Sequence, residues 1–239
     1  MKKIIFFDTE TTGNTKTDFL CQLAYKIDSE SFNAMYKPPL KIPPEASAVH
    51  HITNKMVENK KSFKDSPDFE KIKILFENEN SIMVAHNAIF DLSIMRNEGI
   101  EIKNFICTLR TARYLDSEEK IDKYNLQYLR YFLEIEIDAT AHDALGDVLV
   151  LEQLYERLKK KVMEQYELND MEAIQKMIKI SSHPSLFKKF KFGKHNGKSI
   201  EEVARTDKGY LEWLLAQKLD GDEIDEDWIY TLKHYLGKL

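Results

Sequence analysis

Ile4-Ile5-Phe6-Phe7-Asp8-Thr9-Glu10-Thr11-Thr12-Gly13 leads four large apolar residues directly into two carboxylates. An unbroken apolar run of this kind predicts a strand that is buried on both faces. Because side chains alternate along a strand, Asp8 and Glu10 are expected to point to the same side. Two unpaired anions there would repel each other and be costly to desolvate, and a divalent cation bound between them would relieve both effects. The alternative is that the two acids only begin a turn, which the residues after them complete.

Composition limits the kinds of protein this chain can be. Its 239 residues predict one large domain, or a domain of ordinary size with a small appendage. The hydrophobic share of 43% is enough for a real core. The net charge of −5 excludes a strongly basic coat, so any contact with nucleic acid must be local.

The two cysteines, Cys21 and Cys107, form no C-x-x-C pair, so a zinc site and a disulfide framework are not expected. Each lies among apolar residues and is expected to be a core thiol. The apolar run after Lys3 is too short for a signal peptide, and no run reaches the length needed to cross a bilayer. We therefore expect a cytoplasmic protein with no membrane partner.

The rest of the chain alternates strand and helix patterns. Residues 19–27 and 31–36 predict two strands joined by a short turn, hence an antiparallel hairpin beside the first strand. Further strands are predicted at 81–85 and 104–108, and helices at 68–76, from about 90 to Gly99, through 113–114, at 126–133, and in a long segment that follows residue 143. This order indicates a mixed α/β layer fold.

Acidic side chains recur at three chain transitions: Asp8 with Glu10, Asp91, and Asp147 with His142. Such positions gather at one edge of an open α/β sheet, where ligands bind. Carboxylate oxygens are hard ligands that favour Mg²⁺ or Mn²⁺. Two such ions about 3.5–4 Å apart can stabilise both the attacking and the leaving oxygen of a phosphoryl transfer.

The spacing of His142 and Asp147 carries separate information. Side chains five residues apart do not share one face of a regular helix. The simplest arrangement leaves His142 on the loop before the helix and Asp147 in its first turns. A histidine there can accept a proton from an attacking water. Taken alone, His142 is better explained as a satisfied loop histidine and Asp147 as a helix cap.

Together these segments resemble the three motifs of the DEDDh 3′–5′ exonucleases, the DnaQ-like superfamily with a ribonuclease H-like fold. The motifs are Asp8-Thr9-Glu10 with the Thr-Thr-Gly that follows, His86-Asn87-Ala88-Ile89-Phe90-Asp91, and His142 with Ala144 and Asp147. Motif matches carry a risk of coincidence, but here order and separation also fit. The resemblance covers residues 1 to about 160.

The resemblance implies a ribonuclease H-like mixed sheet flanked by helices. It also implies that Asp8, Glu10, Asp91 and Asp147 hold two Mg²⁺ or Mn²⁺ ions, with His142 as the general base. The residues that it places around the terminal nucleotide are Thr9, Thr11, Gly13, His50, Asn87 and Phe90. Phe90 could instead be only a core residue of its helix.

The tail extends the resemblance. Residues 190–198, 209–214 and 231–236 are similar to the C-terminal region of the exodeoxyribonuclease X family. Residues 48–53 and 105–108 are also similar to segments of that family. This implies that the substrate is DNA with a 3′ end, single-stranded or in a frayed duplex. One departure is Asn14-Thr15 after Gly13, where that family tends to carry an apolar residue, so a strand-wedging role for this loop is in doubt.

Three regions are predicted: an exonuclease domain at 1–165, a charged helical connector at 166–184, and a small C-terminal module of a hairpin and helices at 185–239. In that module, five lysines lie close together with no acid between them: Lys188, Lys189, Lys191, Lys194 and Lys198. They either contact DNA phosphates or form a solvated face.

The sequence thus predicts a metal-dependent 3′–5′ exodeoxyribonuclease that releases nucleoside 5′-monophosphates. One alternative is an exoribonuclease of the same fold, since the sequence does not show how a 2′-hydroxyl is treated. Others are a polymerase-associated proofreading subunit and a non-catalytic DNA-binding scaffold.

Overall fold

The computed structural model describes residues 2–15, 17–137, 144–221 and 225–239. Five strands in this part of the chain form one sheet: β1 (Lys3–Thr11), β2 (Leu20–Ile27), β3 (Glu30–Met35), β4 (Ser81–Ala85) and β5 (Phe105–Cys107).

The strand order across the sheet is β3-β2-β1-β4-β5, with the motif-bearing strand β1 in the middle. β1 pairs antiparallel with β2, and β2 pairs antiparallel with β3, as expected for the predicted hairpin. β4 and β5 continue the sheet on the other side in parallel. The register of β1 against β2 shifts between Glu10 and Thr11, so the strand becomes irregular where its acids lie.

Helices cover both faces of the sheet. In chain order they are α1 (Pro44–His50), α2 (Asn54–Val57), α3 (Phe69–Phe76), α4 (Ala88–Asn97), α5 (Thr108–Leu115), α6 (Leu126–Phe132), α7 (Ala144–Tyr166), α8 (Asp170–Ser181), α9 (Ile200–Thr206), α10 (Lys208–Asp220) and α11 (Glu226–Tyr235). The mixed sheet flanked by helices confirms the predicted fold class.

Alternation along β1 divides the apolar side chains between two cores. Phe6 packs in a cluster with residues of α7 and α8, while Ile5 and Phe7 pack in a second cluster with residues of α3 and α4. All three side chains are buried, so the strand is enclosed on both faces as predicted. Asp8 and Glu10 follow Phe6 in the alternation and therefore belong to the α7 side.

α8 lies within the predicted connector and is helical as expected. Its Ala173, Ile174 and Met177 are buried in the same cluster as residues of α7. The connector therefore contributes to the core of the larger unit as well as joining it to the tail. The division of the chain at 165 and 184 stays a prediction.

The C-terminal segment has a core of its own, with Phe190, Leu211 and Leu232 at its centre. The predicted hairpin is present in a short form: an antiparallel bridge joins Lys189 to Ser199, and the Phe190 N–H donates to the Lys198 carbonyl at 2.9 Å, around a 3₁₀ turn at Gly193–His195. Gly193, at φ +66°, takes a left-handed conformation that glycine adopts without steric cost. The chain thus reverses in a tight turn with too few extended residues for a ladder.

A buried arginine fastens the C-terminal segment to the larger unit. Arg110 of α5 donates from Nε to Asp227 Oδ1 at 3.1 Å and from Nη2 to Glu226 Oε2 at 2.8 Å. Its Nη1 donates to the Ser181 carbonyl at 2.8 Å. Arg113 Nη1 also donates to Asp227 Oδ2, and the Ser185 N–H donates to Asp227 Oδ1. Each guanidinium nitrogen of Arg110 and each carboxylate oxygen of Asp227 has a partner, which offsets the cost of burying these two charges.

None of the described helices combines the length and the apolar character needed to cross a membrane.

We expect Arg110→Met to lower the free energy of unfolding by about 3 kcal/mol, because it leaves Asp227 and the Ser181 carbonyl short of buried partners. Both tryptophans, Trp213 and Trp228, lie in the C-terminal segment. Urea titrations followed by tryptophan fluorescence report on that segment, and far-UV circular dichroism reports on the whole chain.

Arg96→Met is the matched control, because Arg96 pairs with Glu101 and both side chains are 65% exposed. Its effect should stay below about 1 kcal/mol. Equal losses in the two variants would show that the Arg110 contacts do not hold the segment in place.

Candidate active site

Three of the four predicted acids meet at the end of β1. Asp8, Glu10 and Asp147 each offer a carboxylate oxygen, and these oxygens all lie within 4.8 Å of one another. Asp8 and Glu10 come from alternate positions of the strand, and Asp147 comes from the first turn of α7, which packs on that face. Asp147 is buried and the other two are half-buried.

This donor set fits a hard divalent cation. Carboxylate oxygens from several side chains are the ligands that hard divalent cations take in proteins. Three negative groups so close together repel one another strongly when no cation offsets them. The arrangement therefore favours a bound metal over a simple turn.

Asp91 lies outside this group. It is 3% exposed in α4, and Thr9 donates to its Oδ1 from the backbone N at 3.2 Å and from Oγ1 at 2.7 Å. Burial raises the pKa of Asp91 to about 7, although the two hydrogen bonds from Thr9 act in the opposite direction. Thr9 alternates with Asp8 and Glu10 along β1 and therefore points to the α4 side of the strand. Its two bonds to Asp91 join β1 to α4 on that side.

Gln127 is a site residue that the sequence did not indicate. Its Nε2 donates to Asp147 Oδ1 at 2.5 Å from α6. The bond limits the freedom of the Asp147 carboxylate beside Asp8 and Glu10. Gln127 lies in an ordinary helical stretch with no motif around it, so nothing local marked it.

The predicted general base, His142, lies outside the described residues, and the same is true of Asp143 beside it. Helix α7 begins at Ala144, which places Asp147 in its first turn as predicted. The assignment of His142 stays a prediction.

Gly13 and Thr11 shape the turn after β1. A Cβ on Gly13 would stand 2.6 Å from Asp18 Oδ2, so only glycine fits there without moving Asp18. Asp18 accepts hydrogen bonds from the hydroxyls of Thr12 at 2.7 Å and Thr15 at 2.7 Å. Burial alone would raise the pKa of Asp18, but these bonds outweigh it and hold the pKa below its usual value. The turn is thus a fixed polar structure, which agrees with the doubt about a wedging role.

His50 supports the end of β1 from α1. The Ile52 N–H donates to His50 Nδ1 at 3.0 Å, so the proton is on Nε2, which donates to the Thr11 carbonyl at 3.1 Å. Burial lowers the pKa of His50, against the effect of the Thr11 bond. The neutral His50 ring therefore restrains the backbone of Thr11, the residue next to Glu10.

Asn87 and Phe90 begin α4. Asn87 is exposed and left-handed at φ +61°, a conformation that asparagine tolerates better than most residues. This turn starts the helix at Ala88 and places Asp91 one turn later, against Thr9. Phe90 is half-buried and packs on the core cluster of the α4 face, so the core alternative describes at least part of its role.

His86 links motif two to α6. Its Nε2 lies 2.6 Å from the Tyr124 carbonyl, which can only accept, so Nε2 carries the proton and Nδ1 accepts from Thr108 Oγ1 at 2.9 Å. Burial lowers the pKa of His86 to about 4. The Tyr124 bond opposes that shift, and the positive charge of Arg113 adds to it. The ring therefore stays neutral at pH 7 and fixes the loop before α6.

Comparison with known proteins gives the class. Residues 5–155 match the family model described as "Exonuclease", and residues 190–218 match the model described as "Exodeoxyribonuclease X-like C-terminal". The chain therefore belongs to the exonuclease family. Within that family it is 31% identical over 233 residues to Exodeoxyribonuclease 10 of Escherichia coli (strain K12), a match that covers 96% of each chain.

Two other relatives agree with this assignment. DNA polymerase III subunit epsilon of Buchnera aphidicola is 31% identical over 176 residues, covering 64% of this chain and 71% of that protein. A solved structure described as exonuclease X in complex with 5′ overhanging duplex DNA superposes with a TM-score of 0.57 at 25% identity, over 74% of this chain and 99% of that one. The resemblance derived from the motifs and the tail is confirmed.

The lowered pKa of His86 makes stability depend on pH. In the unfolded chain the ring has a pKa of about 6.5. Because the folded-state pKa is lower, folding favours the neutral His86 ring. Its contribution to the free energy of unfolding is fully present above about pH 6.5 and is lost as pH falls toward 4. We expect a loss of about 2–3 kcal/mol across this window, allowing for the remaining exposure of the side chain.

His86→Gln keeps a donor and an acceptor but does not titrate, so its free energy of unfolding should fall less between pH 6.5 and 4 than that of the unmodified chain. Urea titrations at several pH values measure the difference. His183→Gln, at an exposed histidine, should follow the unmodified chain. If the His86→Gln curve also followed it, the ring would not be held neutral by its surroundings.

Proposed function

We propose that this chain is a metal-dependent 3′–5′ exodeoxyribonuclease that releases nucleoside 5′-monophosphates from DNA. The observation that carries the proposal is the meeting of Asp8, Glu10 and Asp147 at the end of the central strand of a chain in the exonuclease family. Similarity to Exodeoxyribonuclease 10 along nearly the whole chain supports DNA as the substrate. The cytoplasmic location predicted from the sequence is part of the same proposal.

Asp8, Glu10 and Asp147 would hold the cation, and Mg²⁺ or Mn²⁺ suits their oxygens. A cation bound there offsets the negative charge that builds up on the phosphate during hydrolysis. Asp91 is proposed to serve the second of two such ions. Its bond to Thr9 sets it on the opposite side of β1 from the three-acid group, which is consistent with a separate role.

His142 is proposed to take a proton from the water that attacks the terminal phosphodiester. The new phosphorus–oxygen bond forms as the bond to the 3′-oxygen of the preceding nucleotide breaks. That oxygen leaves as a 3′-hydroxyl after protonation, and the released nucleotide keeps the phosphate at its 5′ position.

The terminal nucleotide is proposed to lie over Thr9, Thr11, Gly13 and Asn87. Of these, Asn87 is exposed at the start of α4 and can meet a substrate directly. His50 is buried beneath Thr11, so its contribution is to position the backbone around the nucleotide. Phe90 is proposed to present the free edge of a half-buried ring to the sugar or base.

A second candidate function is that of a polymerase-associated proofreading subunit. The similarity to DNA polymerase III subunit epsilon of Buchnera aphidicola favours it, although that match covers 64% of this chain. The C-terminal segment, which resembles that of exodeoxyribonucleases X, favours the first candidate. A ribonuclease of the same fold remains the alternative within the enzyme class.

Asp8→Asn should reduce turnover on 5′-labelled single-stranded DNA by more than about a hundredfold, because loss of a direct ligand should exceed the 10–100-fold effect of losing an outer partner. Its free energy of unfolding should stay the same or rise, since one of three mutually repelling charges is removed. Chelation should abolish activity of the unmodified enzyme, and Mg²⁺ or Mn²⁺ should restore it.

The control is Asp28→Asn, at an exposed turn with φ +51°, where asparagine is well tolerated. It should retain full activity. RNA of the same sequence, tested in parallel, separates the deoxyribonuclease from the ribonuclease. An active Asp8→Asn protein, or hydrolysis that continues without divalent metal, would refute the proposed mechanism.

A further inference from the structure

A cleft of about 760 Å³ lies between the larger unit and the C-terminal segment. Its walls come from α5, the loop that follows it, the end of α8, the stretch before the 3₁₀ turn, and α11. Residues that represent these walls are Arg113, Tyr114, Lys179, Lys189, Phe192 and Tyr230. This volume is within the range of small-ligand sites, and none of these residues belongs to the three-carboxylate group.

Positive charge converges on this cleft from two separate segments. Lys176 and Lys179 come from α8, and three more lysines come from the tail stretch: Lys188, Lys189 and Lys191. Within the part of the chain that the structure describes, none of the five has a carboxylate oxygen within 4 Å of its Nζ. Lys188 Nζ donates to the Ser117 carbonyl at 2.7 Å, which orders the side chain and leaves its charge uncompensated.

Two of the three acids that line the cleft, Glu119 and Asp116, accept hydrogen bonds from N–H and O–H groups of the chain, and Asp122 is the third. Glu119 accepts from the backbone N–H of Lys188 at 2.8 Å and of Lys189 at 3.1 Å. Asp116 accepts from the Ile121 N–H at 2.7 Å and from the Tyr124 hydroxyl at 2.7 Å. These carboxylates thus fix the loop and the tail, and the cleft retains an excess of cationic side chains.

Aromatic rings line the same space. Tyr114 is 44% exposed and Phe192 is 39% exposed, so both rings present surface to the cleft. The Arg113 guanidinium lies 4.8 Å from the Phe187 ring centroid, and its buried Nε has no hydrogen-bond partner among the described residues. Exposed rings beside lysines are what proteins use to stack unpaired bases and neutralise their phosphates.

The cleft continues toward the candidate active site. A second cavity of about 380 Å³ shares Arg110, Arg113 and Tyr124 with it. That cavity reaches Asn87 at the start of α4 and Asn125, which caps α6. Asn87 precedes the helix that carries Asp91, and Asn125 caps the helix that carries Gln127, so the second cavity lies between the cleft and the elements that bear the site.

We propose that the cleft between α5, α8 and the C-terminal segment binds single-stranded DNA on the 5′ side of the nucleotide being removed. This inference rests on the proposed function, because the strand must have its 3′ end in the three-carboxylate site. Unpaired bases stack on the exposed rings, which bases within a duplex cannot do, and their phosphates meet the lysines. The C-terminal segment thereby supplies one wall of a strand-binding channel.

The test uses the full chain with Lys179→Gln and Lys189→Gln, one lysine from each wall. The matched control is Lys160→Gln with Lys161→Gln, which removes the same charge from α7 outside the cleft. Fluorescence anisotropy with labelled dT20 in the presence of a chelator measures binding without hydrolysis. Hydrolysis of the dinucleotide dT2 with Mg²⁺ measures the catalytic site alone.

The cleft variant should bind dT20 about tenfold more weakly than the control. The slope of its log binding constant against log salt concentration should be smaller by about 1.4, or 0.7 for each lost phosphate contact. Both variants should hydrolyse dT2 at the rate of the unmodified enzyme. Tyr114→Leu should weaken binding of dT20 about tenfold but leave binding of an abasic 20-mer unchanged.

Unchanged dT20 binding and salt slope in the cleft variant would overturn the inference, and normal dT2 hydrolysis would leave the proposed function standing. Failure of the unmodified enzyme to hydrolyse dT2 or dT20 would instead overturn the proposed function. An equal loss of binding to blunt duplex DNA would show that the cleft attracts any polyanion, which contradicts selection of a single strand.

Discussion

Repulsion among Asp8, Glu10 and Asp147 is the constraint around which the structure is built. Three carboxylate oxygens within 4.8 Å of one another oppose folding unless something offsets their charge. The central strand is nevertheless enclosed on both faces, so the fold positions these acids with rigid elements on every side. A chain that only needed a stable core would not place like charges there, whereas a chain that binds a divalent cation must.

The surrounding polar groups all restrain this strand end. Thr9 holds Asp91 on the α4 side, and Gln127 holds Asp147 on the α7 side. His50 donates to the backbone one residue beyond Glu10. Asp91 of α4 and His50 of α1 therefore restrain the strand end itself, and Gln127 of α6 restrains the Asp147 carboxylate beside it. Such support keeps ligand oxygens in place before a cation arrives, which reduces the ordering cost of binding it.

The local sequence pattern was enough to predict some features of the structure and not enough to predict others. Alternation along one strand was enough to place Asp8 and Glu10 on the same side, because the period of a strand does not depend on its neighbours. The contact of Gln127 with Asp147 spans 20 residues, and that of Arg110 with Asp227 spans 117, and no periodicity signals either of them. The predicted tail hairpin is shorter than the alternating Phe and Lys residues indicated, because two nearby glycines at positive φ reverse the chain around a 3₁₀ turn.

The charge distribution also explains why a separate strand-binding cleft is useful to this protein. The chain is acidic overall, and the candidate active site is its most concentrated negative region among the described residues. A DNA strand is therefore repelled from that site by any charge that the cations leave uncompensated, over a distance of about 8 Å at physiological salt. Lysines on α8 and the tail line a cleft that adjoins the cavity beside Asn87 and Asn125, and they come from elements other than those that carry the acids. Because Arg110 and Arg113 both bond Asp227, the contacts that fasten the C-terminal segment also place its lysines opposite those of α8, so attachment of that segment and assembly of the cleft depend on the same ion pairs.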